Sequence, residues 1–157
     1  MRRLGALFGL VLVAAACGSA TAAPRENVGV FMTRILREEI NGQWSKQWTE
    51  LHPGHQKLIT RAQYVACSRE IGTDIASGNE VFHVLAVEDQ AIHVSGVSQR
   101  TSKLVTISFS HPGAPALTYR LHAVAVGGRW TWILGNRFLA EIRQGRCLDG
   151  RPLAKSS

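Results

Sequence analysis

The sequence predicts an α+β domain in which N-terminal helices pack on a curved antiparallel sheet. Three observations carry this. Apolar residues recur at helical spacing as far as about residue 70. After residue 80 the chain turns to runs rich in β-branched and aromatic residues. Those runs are joined by short links, which suit antiparallel neighbours.

Val28, Phe31, Met32, Ile35, Leu36 and Ile40 form one apolar face, and the stripe continues through Trp44, Trp48 and Leu51. The expectation is one long helix from about Glu26 to Leu51, bent near Gly42. Pro53 is favoured in a first helical turn and pushes the residue before it out of helical geometry. The stretch "LHPGH" therefore ends one helix and starts a short one, "PGHQKLI". Thr60 and Gln63 stand at capping-box spacing, so a third helix runs to about Glu70. "GTDIASGN" reads as a loop. Five strands are expected from "EVFHVLAVED", "QAIHVSGVSQR", "KLVTISFSH", "ALTYRLHAVAVGG" and "RWTWILGN", with a hairpin turn at Gly127-Gly128. "RFLAEIRQG" predicts a closing helix ending at Gly145, just before Cys147.

The N-terminus reads as an address. Arg2 and Arg3 precede the apolar run Leu4–Ala16, too short to span a bilayer comfortably and typical of a signal peptide. Two processing routes are open. Residues 1–22 form an ordinary signal peptide, or residues 1–16 a lipoprotein signal with Cys17 lipidated, since "AAACGS" resembles a lipobox. Both export the chain to the bacterial cell envelope or beyond, and a lipid on Cys17 is the membrane contact expected. In an oxidising compartment the remaining pair, Cys67 and Cys147, reads as one disulfide. The domain is expected over residues 26–147, with a frayed tail at 148–157.

Net charge is +7 over 157 residues; loss of Arg2 and Arg3 leaves 16 basic against 11 acidic residues, a net +5. The basic residues are scattered and no aromatics interleave with them, so a nucleic-acid partner is not expected.

The element order over residues 26–147 resembles the nuclear transport factor 2-like superfamily, a cone-shaped α+β fold that also hosts ketosteroid isomerase and scytalone dehydratase. More narrowly, "WTELHPGHQKLITRAQYVAC", "GRWTWIL" and the closing Gly-x-Cys resemble segments of exported bacterial members. The resemblance implies a fold that serves isomerases, dehydratases, binding proteins and dimerisation modules alike. Isomerase members use a buried carboxylate with an oxyanion pair inside the cone. Here Glu80, Glu88 and Asp89 fall at strand ends and Asp74 in a loop, so no strand-centre acid is expected inside.

His52 and His55 lack an assignable third ligand, so the expectation is a turn, with His52 as its partly buried keystone and His55 exposed, and no metal. His83 and His93 are expected mid-strand across one short turn. Trp44, Trp48, Trp130, Trp132, Tyr64 and Tyr119 form an aromatic set. The candidate ligand-binding residues are Trp48, Tyr64, His83, His93 and Tyr119. No GxSxG, P-loop or dinucleotide motif occurs, and no cofactor is expected. The expected role is non-catalytic binding of a small apolar or amphipathic ligand, or of a protein partner. The alternatives are a cofactor-independent lyase or isomerase with His83 or His93 as base beside Tyr64, and a structural homodimer with a filled cone.

Overall fold

In the computed structural model, helices precede a four-stranded antiparallel sheet of order β1-β2-β3-β4. The structure describes residues 23–71, 79–113 and 115–147. The expected signal peptide, the candidate lipidation site at Cys17, most of the "GTDIASGN" loop and the expected tail lie outside the described residues. Among those described, no helix is long and apolar enough to cross a membrane.

Helix α1 (Val28–Ile40) starts at Asn27, whose side chain accepts from the Gly29 N–H at 2.8 Å. It buries Val28, Phe31, Met32, Ile35 and Leu36. The expected long helix is broken here: α2 (Trp44–Thr49) is a separate element. Gly42 takes φ +65°, a left-handed conformation, and the Gln43 N–H closes back on the Glu38 carbonyl at 2.8 Å. The Asn-Gly pair thus acts as a helix stop, not a bend.

Helix α3 (Pro53–Gln56) begins at His52, whose Nδ1 accepts from the Gly54 N–H at 3.0 Å. His52 sits at the junction as expected, and it is buried more fully than the partial burial expected. His55 departs from expectation: it is fully buried, and its Nδ1 accepts from the Leu134 N–H at 3.2 Å, 79 residues away. The same segment is sewn to the sheet. The His52 N–H donates to the Trp132 carbonyl at 2.9 Å, and the Trp132 N–H to the Glu50 carbonyl at 3.1 Å, a parallel bridge between Leu51 and Trp132.

Helix α4 (Arg61–Ile71) carries the expected capping box. The Gln63 N–H donates to Thr60 Oγ1 at 3.2 Å, and the Thr60 N–H to Gln63 Oε1 at 2.8 Å. It buries Tyr64 and Cys67, and Cys67 is disulfide-bonded to Cys147. Helix α5 (Asn136–Arg143) stops before Gly145 at φ +72° and delivers Cys147 to that bond.

The strands are β1 (Val81–Ala91), β2 (Thr101–Ser110), β3 (Leu117–Val126) and β4 (Arg129–Ile133). The β3–β4 hairpin turns on Gly127 and Gly128, both at positive φ, as expected. The expected turn at Glu88–Gln90 and the strand "QAIHVSGVSQR" are not present. β1 runs straight through that turn, pairing Glu88 with Leu104 and Asp89 with Lys103, whose side chains form a 2.7 Å ion pair. Residues 92–100 form the connection instead. Its Ile92, Val94 and Val97 pack on Val124 and Ile133, and Asn136 clasps it through His93 and Ser95. Cross-strand pairing and this apolar anchorage outweigh the local turn propensity.

Candidate functional site

A cavity of about 390 Å³ opens between α1, α4, α5 and the β3–β4 strands. Its wall is mainly apolar, with Ile35, Leu121, Trp132 and Phe138 among the lining residues. Such a space with a few convergent polar groups has the form of a small-molecule site.

Those polar groups come from separate elements. α1 supplies Glu39, one turn beyond Ile35 on the buried stripe. α4 supplies Tyr64 and Ser68, also one turn apart, and β3 supplies Tyr119. Gln47 of α2, almost fully buried, ties them together. It accepts from the Tyr64 hydroxyl, donates through Nε2 to the Ile35 carbonyl at 3.3 Å, and accepts at its backbone from Trp132 Nε1 at 3.1 Å. Tyr64 is clamped further between Trp48, with centroids 5.7 Å apart, and Trp132, at 6.0 Å.

Burial raises the Glu39 carboxyl above the usual carboxylate range, although a bond from Gln47 favours its ionised form. Burial likewise raises both phenols, and the Glu39 charge adds to each shift, so Tyr64 and Tyr119 stay neutral donors. Neighbouring Glu38 is held differently. Although buried, it pairs with Lys46 at 2.9 Å and with Arg34 at 3.5 Å.

Of the residues singled out from sequence, the structure brings Tyr64 and Tyr119 together at the cavity. Trp48 supports Tyr64 without lining the cavity. His83 is exposed on β1, opposite Ser108 on β2. His93 is exposed on the 92–100 connection, 2.9 Å from Arg100 Nη1. The two histidines are not hairpin neighbours, because the strand expected to hold His93 is not a strand. Sequence reasoning missed Glu39 and Gln47. The signal for Glu39 was the helical period itself, which continues from Ile35 and Leu36 to position 39 as well as to Ile40.

A second buried polar group surrounds α3. The His52 and His55 rings lie 6.0 Å apart, and His52 Nε2 is 3.2 Å from Gln99 Oε1. Among the described residues no three His, Cys, Asp or Glu side chains cluster to hold a metal ion. Burial, with a smaller contribution from His52, lowers His55 to about 4, and burial lowers His52 as well.

This has a definite sign. The unfolded chain takes up a proton at His55 near pH 6.5, whereas the folded chain resists until about 4. The neutral ring's stability is full above the unfolded value and drains as pH falls between the two. The expected loss is about 3 kcal/mol. Urea unfolding at about pH 7.5 and about pH 4.5 measures it. His55→Asn, which keeps an acceptor for the Leu134 N–H, should flatten the slope; an unchanged slope would assign it to other groups.

Comparison of the chain with protein-family models, with curated proteins and with solved structures gave no match.

Proposed function

We propose that the protein is a non-catalytic binding domain that takes a small apolar or amphipathic ligand into the cavity between α1, α4, α5 and β3–β4. The observation that carries this is the composition of that cavity: an apolar wall with Glu39, Tyr64 and Tyr119 at one polar patch. Apolar wall supplies affinity, and the polar patch supplies orientation. An open cavity favours this role over a homodimer with a filled interior. For a protein partner, the exposed Val81, Leu85 and Val87 of β1 offer an apolar surface.

We propose further that the chain is an exported member of the nuclear transport factor 2-like superfamily. Helices followed by an antiparallel meander support the membership, and the Cys67–Cys147 bond supports an oxidising compartment.

The second reading, a cofactor-independent lyase or isomerase, shifts its residues. His83 and His93 stand outside the cavity, so the acid–base group would be Glu39 beside Tyr119 and Tyr64.

Trp132 lines the cavity, so occupancy is readable by energy transfer from tryptophan to the uncharged dye N-phenylnaphthylamine. We expect saturable binding of one dye per chain, lost in Leu121→Trp, which fills the space. Non-saturable binding, or binding unchanged in that variant, would sink the proposal.

A further inference from the structure

We infer that the ligand of this cavity carries a positively charged amine, seated against Glu39 and surrounded by the rings of Tyr64, Tyr119 and Trp132. The inference rests on the ligand-binding reading above and names the chemistry of the ligand's polar end.

The first observation is an imbalance of charge. α1 presents two consecutive acids. Glu38 has two cationic partners, Lys46 and Arg34. Glu39, at the cavity, has no ion pair among the described residues and only the neutral amide of Gln47. A half-buried carboxylate without a cation is costly, and a cation arriving with a ligand removes that cost. The second observation is the surround. Tyr64, Tyr119 and Trp132 all line the same cavity, and aromatic faces attract desolvated ammonium groups.

The groups that face Glu39 point the same way. From α1 there is Glu38; from α2, Gln47; from α4, Tyr64 and Ser68; from β3, Tyr119, Arg120 and His122, whose imidazole is held below its ordinary range by burial and by Arg120. Arg120 is the one cation among the lining residues, yet it is exposed and makes no ion pair with Glu39. A carboxylate ligand seated at the polar patch would meet Glu39 and two hydroxyls, with no buried cation to neutralise it. A neutral alcohol would fit but would leave the Glu39 charge uncompensated.

The test uses three probes of one shape: phenylbutylamine, phenylbutanol and phenylbutyrate, each titrated against the protein by calorimetry and by displacement of N-phenylnaphthylamine. At neutral pH the amine should bind at least about tenfold tighter than the alcohol, and the carboxylate weakest. Lowering the pH protonates Glu39, so the amine's advantage should shrink while the alcohol's affinity holds. In Glu39→Gln the amine and alcohol should bind alike. The pH series on the unmodified protein decides the matter even where that variant fails to fold.

Equal binding of amine and alcohol, or an advantage independent of pH, overturns the inference and leaves the ligand-binding reading standing. Tightest binding of the carboxylate also overturns it and points to Arg120 as the anchor. Binding of none of the three probes, and none of the dye, overturns both.

Discussion

Gly54→Ala should destabilise the fold by more than about 4 kcal/mol, beyond the roughly 1–3 kcal/mol of ordinary core overpacking. A Cβ at position 54 would lie 1.6 Å from the Gly96 carbonyl oxygen. The obstacle is backbone, so no side-chain rotation relieves it. Gly96 cannot retreat easily either. It sits at φ +78°, and its own surroundings include Leu58 Cδ1 and the Gly54 carbonyl at 2.8 and 3.0 Å from an added Cβ. Relief would require lifting the 92–100 connection, which would uncover His52, His55 and the small apolar cluster around Val97. Urea unfolding of the variant measures the loss, and a fall in soluble yield should accompany it. Gly135→Ala is the matched control: nothing stands within 4 Å of its added Cβ, and its φ is −65°. It should stay within about 1 kcal/mol of the unmodified protein. Equal stability of the two variants would show that the Gly54–Gly96 approach relaxes at little cost.

Removing the Cys67–Cys147 bond is expected to cost about 4 kcal/mol. The two residues are 80 apart in sequence, and closing so long a loop in the unfolded chain removes much of its conformational freedom. Both cysteines are completely buried, so the bond ties the middle of α4 to the segment after α5. The Cys67→Ala/Cys147→Ala double variant tests this without leaving buried thiols. Its urea midpoint should fall, and a loss below about 1 kcal/mol would mean that packing alone holds α4 to the C-terminal segment.

What was legible in the sequence was what is decided locally. Thr60 and Gln63 are three residues apart, and their reciprocal bonds follow from that spacing. Gly127-Gly128 specifies its turn from within. The cysteine pair was legible from the export that the N-terminal sequence leads one to expect and from the number of cysteines left after it. The α+β class followed from the change of period near residue 80. Features decided by distant partners were not legible. Glu88-Asp89-Gln90 has the composition of a turn, but β2 supplies Leu104, Lys103 and Ser102 as partners and holds it extended. His55 looks like a surface residue of a short helix until the Leu134 N–H reaches it from the far end of the sheet. For the site, aromatic residues gave Tyr64 and Tyr119. Glu39 was hidden because two adjacent acids on one helix differ only in which way they face, and the pairing of Glu38 with Lys46 and Arg34 settles that.

The bridge between Leu51 and Trp132 also orders events in time. The helices that form first along the chain cannot complete their burial until β4, the last strand, has arrived to receive the His52 N–H and return its own to Glu50. A sheet assembled from such non-local pairings folds in milliseconds to seconds, slower than a helical bundle of similar size. A chain emerging N-terminus first therefore displays Phe31, Met32 and Ile35 unsheltered while more than ninety further residues follow before β4 is complete. Fragments ending before Arg129 should remain clients of holding chaperones, and the domain behaves as a unit that cannot be usefully divided.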